Sequence, residues 1–328
     1  MTHGCVILRH HRNSGGDRAH TSAMSINQPN DPLGVIYAEW TEEFVANPDM
    51  SLRLMRWVFE DWQRVTAEPE DVTYASTRIG GVPGVLVKPL DADPEQMLLV
   101  LHGGGFALGS SASHRKLAGH LARACGAHAF VADFRLAPEH PYPAQLDDAA
   151  AVFGALVERD LDPSRITFVG DSAGASIAVA TTLRLLRDGS PIPGRVITIS
   201  PWLDMENGGS TIESNDATDF LITREGLQGN IDRYLSGGAS PTDPLVNPLY
   251  ADFTGFPRLY VTVSDTESLY ADATRLVERA RAAGVDVTLD VASGQQHVFP
   301  LQAGVLPAAD AAISSMAAWY RSAKPLAV

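Results

Sequence analysis

Short, almost wholly apolar runs alternate with longer amphipathic ones along most of this chain. Runs at 97–101, 129–134, 166–169, 196–199, 259–263 and 287–291 are rich in Val, Ile, Leu and Phe and have the length of buried strands. Between them, 113–124, 144–159, 172–187 and 269–283 carry apolar residues at helical spacing, and a last helix is expected near 308–320. Continuous apolar strands alternating with helices predict a mostly parallel sheet covered on both faces. Two further strands, 72–78 and 84–88, flank the turn Gly80-Gly81-Val82-Pro83, and the stretch from about 34 to 66 reads as helical. Its second half, Leu52, Leu54, Met55, Val58, Phe59 and Trp62, looks like an amphipathic helix capped by Asp49.

The alternation stops over 201–256, which is rich in Gly, Pro and Asn. This interruption and the N-terminal helices are read as a lid. The division expected is a tail at 1–30, cap helices at 31–68 and a catalytic domain at 69–328 with an insertion at about 203–256. The tail holds His3, His10, His11 and His20 beside Arg9, Arg12 and Arg18. Its spacing is too irregular for a metal site and its apolar piece too short for a signal peptide, so disorder is expected, with Met24 as an alternative start.

In open sheets of this kind, sites form beyond the carboxyl ends of the strands. Four such ends carry chemistry. After 166–169 comes Gly170-Asp171-Ser172-Ala173-Gly174, a serine between glycines on a sharp strand-to-helix turn that would lift its oxygen above the sheet. Such a serine needs a base, and in sites of this type the order along the chain is serine, acid, histidine. Of ten histidines only His297 follows Ser172, and it follows the last strand. The acid should follow 259–263, where Asp265, Glu267 and Asp272 stand; Asp272 is read as capping or bracing the next helix, and spacing leaves Asp265 and Glu267 open. After 97–101 comes His102-Gly103-Gly104-Gly105-Phe106, whose bare N–H groups suit a tetrahedral oxyanion, together with the N–H of Ala173.

Composition narrows the field. With 39 acidic against 25 basic residues, a net charge of −14, the chain has no electrostatic footprint for nucleic acid or an anionic membrane, and gives no reason to expect a strongly anionic substrate. No apolar run nears the 18 or so residues of a membrane span. Two cysteines, Cys5 and Cys125, make no disulfide framework and point to a reducing, cytoplasmic compartment, with Cys125 as helix packing.

These motifs, with Phe134-Arg135-Leu136-Ala137-Pro138-Glu139-His140-Pro141-Tyr142-Pro143-Ala144, Ser200-Pro201-Trp202-Leu203-Asp204 and His297-Val298-Phe299, resemble the hormone-sensitive-lipase-like esterases of the α/β-hydrolase superfamily over about 34–322. The resemblance implies an eight-stranded sheet and a cap from the N-terminal helices plus the segment after Trp202. It also implies hydrolysis of short- to medium-chain acyl esters without metal or organic cofactor. Its usual Asp-Pro-x-x-Asp is replaced by Glu267-Ser268-Leu269-Tyr270-Ala271-Asp272, and aligning on Leu269 and Asp272 favours Glu267 as the acid. Its oxyanion donors map to Gly103, Gly104 and Ala173, and its members often form homodimers. The 135–144 stretch has no catalytic role in this reading, with Glu139 and His140 expected in hydrogen bonds. Trp57, Phe59, Trp62, Phe220 and Leu221 are candidate pocket residues. A lactonase or amidase with the same groups, and a non-catalytic ligand receptor of the same fold, are the rival readings.

Overall fold

Alternate residues of the central strands feed two separate apolar layers, which is why those strands are apolar throughout. Leu98, Val100, Ala129, Val131 and Ile197 belong to one layer, and Leu99, Leu101, Phe130, Phe168 and Val196 to the other. A computed structural model describes residues 31–322. The expectations for residues 1–30, including the histidines, Cys5 and Met24, lie outside them.

The strands are β1 (Val72–Ile79), β2 (Val82–Pro89), β3 (Asp93–Leu101), β4 (Ala127–Ala132), β5 (Ile166–Asp171), β6 (Arg195–Ile199), β7 (Arg258–Ser264) and β8 (Val287–Ala292). They form one sheet in the order β1-β2-β4-β3-β5-β6-β7-β8; β2 is antiparallel to both neighbours and the rest run parallel. The helices are α1 (Pro32–Ala46), α2 (Leu52–Phe59), α3 (Ser111–Cys125), α4 (Ala144–Val157), α5 (Ala173–Arg187), α6 (Thr211–Ser214), α7 (Arg224–Tyr234), α8 (Tyr270–Ala282) and α9 (Pro307–Arg321). Leu117 and Leu121 of α3 and Ile313 and Met316 of α9 pack in one layer; Leu146, Ile177 and Leu276 of α4, α5 and α8 pack in the other. This is the α/β-hydrolase arrangement. No helix among the described residues is long and apolar enough to cross a membrane.

Three local expectations need correction. The cap of α2 is Ser51, whose Oγ accepts from Leu54 N at 3.3 Å; Asp49 falls in the preceding turn, too early to flank the first helical position. The strand expected at 129–134 is β4 at Ala127–Ala132, and Phe134 instead stacks on the His102 ring at 4.2 Å. Asp272 does not cap α8. It is buried and accepts from Leu203 N and Asp204 N at 2.8 and 2.9 Å, so it braces the start of the segment that follows β6.

The N-terminal helices are fastened from two sides. Trp40, Phe59 and Trp62 form an aromatic cluster with ring centroids 4.6 to 5.9 Å apart. Arg56 of α2 forks onto both carboxylate oxygens of Glu139 at 2.7 Å and donates to the carbonyls of Ala107 and Ala137. The guanidinium holds the Glu139 carboxyl down at about 2. Part of the 135–144 stretch thus anchors α2 beside the glycine loop. The carbonyl of His140 takes a hydrogen bond from Gln145. Cys125 is buried and free, and burial pushes its thiol up to about 12, in keeping with packing.

Candidate active site

Ser172 sits between β5 and α5 at φ 52°, ψ −122°, a conformation sparsely populated for any residue with a side chain. Holding it costs on the order of 1–3 kcal/mol, and three bonds impose it. Ser172 N donates to Ile199 O at 2.9 Å, and Ser172 O accepts from Trp202 N at 3.2 Å and Ala175 N at 3.1 Å. The flanking glycines are steric necessities. A Cβ on Gly170 would stand 2.3 Å from Gly174 O, and one on Gly174 1.9 Å from Leu101 O. Gly174→Ala is therefore expected to lower stability by roughly 3 kcal/mol or to prevent folding, read as a fall in the urea midpoint; an unchanged midpoint would mean that β3 and α5 are not this close.

His297 follows β8, with its Nδ1 2.8 Å from Glu267 Oε2. Glu267 is fully buried, and its other oxygen accepts from Ser200 Oγ and Ser264 N, both at 2.8 Å. Burial pushes the Glu267 carboxyl up against the opposing pull of His297. Burial would lower His297, but the hydrogen bond and charge of Glu267 outweigh it and raise its pKa above the ordinary value. Asp265 is exposed and accepts from Gly294 N at 2.9 Å, clasping the loop before the histidine. Of the two open carboxylates, Glu267 is the one at the imidazole.

Ser172 and His297 border one cavity. No hydrogen bond joins Ser172 Oγ to His297 Nε2, which is buried and has no partner among the described residues. Such contacts commonly tighten only when substrate binds.

The glycine loop departs from expectation at one residue. Gly103 N–H donates to the buried Asp171 Oδ2 at 3.1 Å, and a Cβ there would meet the same oxygen at 2.2 Å. That N–H is already engaged and cannot serve an oxyanion. Gly104 and Gly105, at φ 111° and 60°, are the loop residues that border the cavity beside Ser172. Ala173 opens α5, so its N–H is one of the first-turn donors without an intrahelical acceptor. Burial, then the neighbouring His114, lower the His102 ring to about 4 and so keep it neutral. As a neutral ring, its Nδ1–H donates to Gly103 O at 2.8 Å and helps hold the loop.

The cavity measures about 400 Å³, within the usual range for small-molecule sites. Phe59, Trp62 and Leu221 line it as expected, with Phe44, Met55, Trp202 and one face of α7. Trp57 is instead 71% exposed, and Phe220 is buried in the core. Ser200 is a positioning residue that the sequence did not single out. Its hydroxyl donates to Glu267 and accepts from Val298 N at 3.0 Å, tying the acid to the loop after the histidine. The only sequence signal was its place in Ser200-Pro201-Trp202-Leu203-Asp204, at the end of β6.

A cavity at the carboxyl ends of parallel strands, holding an elbow serine and a carboxylate-bound histidine, defines a hydrolase of the α/β-hydrolase fold. Residues 98–301 match the family described as alpha/beta hydrolase fold. An acetyl-hydrolase of Streptomyces hygroscopicus is 40% identical over 238 residues, 72% of this chain and 79% of that protein. An esterase of Acinetobacter venetianus is 34% identical over 268 residues, 82% and 88% of the two. The crystal structure of an esterase from the bacterial hormone-sensitive lipase family superposes with a TM-score of 0.84 at 35% identity, covering 90% of this chain and 99% of that one. The chain belongs to the hormone-sensitive-lipase-like esterases, a family of carboxylic-ester hydrolases within that fold.

Proposed function

We propose that the chain hydrolyses short- to medium-chain acyl esters through Ser172, His297 and Glu267 and a covalent acyl-enzyme, beneath a cap made by 31–68 and 203–256. The observation that carries this reading is the 2.8 Å contact of His297 Nδ1 with Glu267 while Nε2 stays unpartnered in the cavity that also holds Ser172. With Nδ1–H held by the carboxylate, Nε2 is left as the acceptor a base requires.

The steps follow from these groups. Ser172 Oγ forms a bond to the ester carbonyl carbon as its proton passes to Nε2, and the carbonyl oxygen becomes an oxyanion. The N–H groups of Gly104, Gly105 and Ala173 are the donors assigned to it, each worth roughly 10²–10³ in rate. The imidazolium then gives its proton to the alkoxy oxygen, the C–O bond breaks and the alcohol leaves. Water repeats the sequence on the acyl-enzyme and frees the acid.

The name acetyl-hydrolase borne by one relative agrees with a short acyl group. The test is a p-nitrophenyl ester series from acetate to dodecanoate, with lactones and anilides alongside and a fluorophosphonate trap read by mass. Turnover of the short members, with one adduct on Ser172, is the expected result. Binding of esters without turnover or adduct would instead identify a receptor, and faster lactone or anilide cleavage would shift the substrate class.

A further inference from the structure

The two walls of the cavity differ in chemistry. Phe44, Val45, Met55 and Phe59 from α1 and α2 make one side apolar. The other is a face of α7, where Gly226, Gly229, Asn230 and Arg233 recur at spacings of three and four. Two glycines weaken an 11-residue helix relative to alanine, yet here they clear room for a larger group. A Cβ on Gly229 would stand 3.5 Å from Arg233 Nη1, so the guanidinium folds back over the bare glycine. The same Nη1 donates to Asn230 Oδ1 at 3.0 Å. That bond sets the amide. Its acceptor end is taken by Arg233, and its donor end, Nδ2, packs against Gly105, where a Cβ would lie 2.3 Å away.

No carboxylate among the described residues pairs with Arg233. Trp202, 1% exposed and also lining the cavity, has an indole N–H with no acceptor among the described residues. Buried donors nearly always have partners, so this side of the cavity suits a ligand oxygen. Of the two carboxylates on α7, Glu225 borders the cavity but is exposed and stands eight residues before Arg233, about 12 Å along the axis, while Asp232 is exposed, lies outside the lining and accepts from Gln228.

The orientation of the ester decides which part meets this wall. The leaving oxygen must lie near His297. That residue is tied to α1 by the bond from Tyr37 OH to His297 O, and its neighbour Gln296 accepts from Phe220 N. Asn230 instead packs on Gly105 of the oxyanion loop, and Trp202 hangs on the carbonyl of Ser172. The acyl half therefore faces α7.

Resting on the esterase reading above, we propose that Asn230 and Arg233 recognise a carboxylate at the far end of the acyl chain, so that half-esters of dicarboxylic acids are the favoured substrates. The guanidinium can take such a carboxylate in two parallel hydrogen bonds. An overall charge of −14 repels an anion at long range, so any preference for one must come from this local pair.

The experiment compares kcat/KM for mono-4-nitrophenyl adipate and for 4-nitrophenyl hexanoate, equal in acyl length, in wild type, Arg233→Met, Arg233→Lys and Asn230→Asp. The adipate-to-hexanoate ratio is expected to fall about tenfold or more in Arg233→Met, the size of one lost charge-assisted hydrogen bond. It should fall likewise in Asn230→Asp, where the new carboxylate occupies the guanidinium, and be partly kept by Arg233→Lys. Hexanoate turnover with the same ratio in all four proteins overturns the proposal and leaves the esterase standing. Failure of wild type on both esters removes the esterase reading and this one with it.

Discussion

Ser172→Ala is expected to lower kcat on p-nitrophenyl butyrate by about 10⁶-fold, the loss seen when a serine hydrolase is deprived of its nucleophile. Among the described residues, the hydroxyl is the only group in the cavity that combines an elbow position with access to an unpartnered imidazole nitrogen. Stability should barely move. Ser172 Oγ makes no hydrogen bond among the described residues, and alanine meets the same backbone constraint at φ 52°. Rate and thermal midpoint measured on one preparation separate the outcomes. A collapsed rate at an unchanged midpoint marks Ser172 as the nucleophile. A variant keeping a tenth of the activity would mean that another group attacks the ester and that the elbow is structural.

The α/β framework was legible because strand and helix periods differ and the buried strands are apolar on both faces. Leu98 and Leu99 look alike in sequence, and the structure sends them to opposite layers. Ser172 and His297 were legible because elbow geometry needs Gly170 and Gly174, and because chain order leaves one histidine. Glu267 was not separable from Asp265 by spacing. What distinguishes them is burial and three hydrogen bonds, from Ser200, Ser264 and His297. The assignment of Gly103 as a donor failed for a similar reason. A run of glycines does not reveal which N–H turns inward, and Asp171, at the end of a different strand, claims the first. The face of α7 could not be read either, since Gly226 and Gly229 resemble a loop until the helix sets them beside Arg233.

Glu267→Gln should lower kcat by about 10⁴-fold, the loss known for the equivalent change in a serine-protease triad. The physical reason is tautomeric. Glutamine retains the acceptor oxygen for Ser200 Oγ and Ser264 N but turns an NH₂ toward His297 Nδ1, where a carboxylate oxygen now lies at 2.8 Å. Two donors cannot face each other, so the imidazole moves its proton to Nε2, and the nitrogen facing Ser172 ceases to be a base. The residual activity should carry a second signature. The base works only when neutral, so activity is present above the His297 pKa and lost as pH falls through it. In wild type that limb is expected above the ordinary histidine value of 6.5, because Glu267 outweighs burial. In the variant burial acts without the carboxylate, and the acid limb of kcat/KM should move to lower pH. Asp265→Asn, which alters only an exposed clasp on Gly294 N, should leave the limb in place. A limb that stays put in Glu267→Gln and moves in Asp265→Asn would reverse the assignment of the acid.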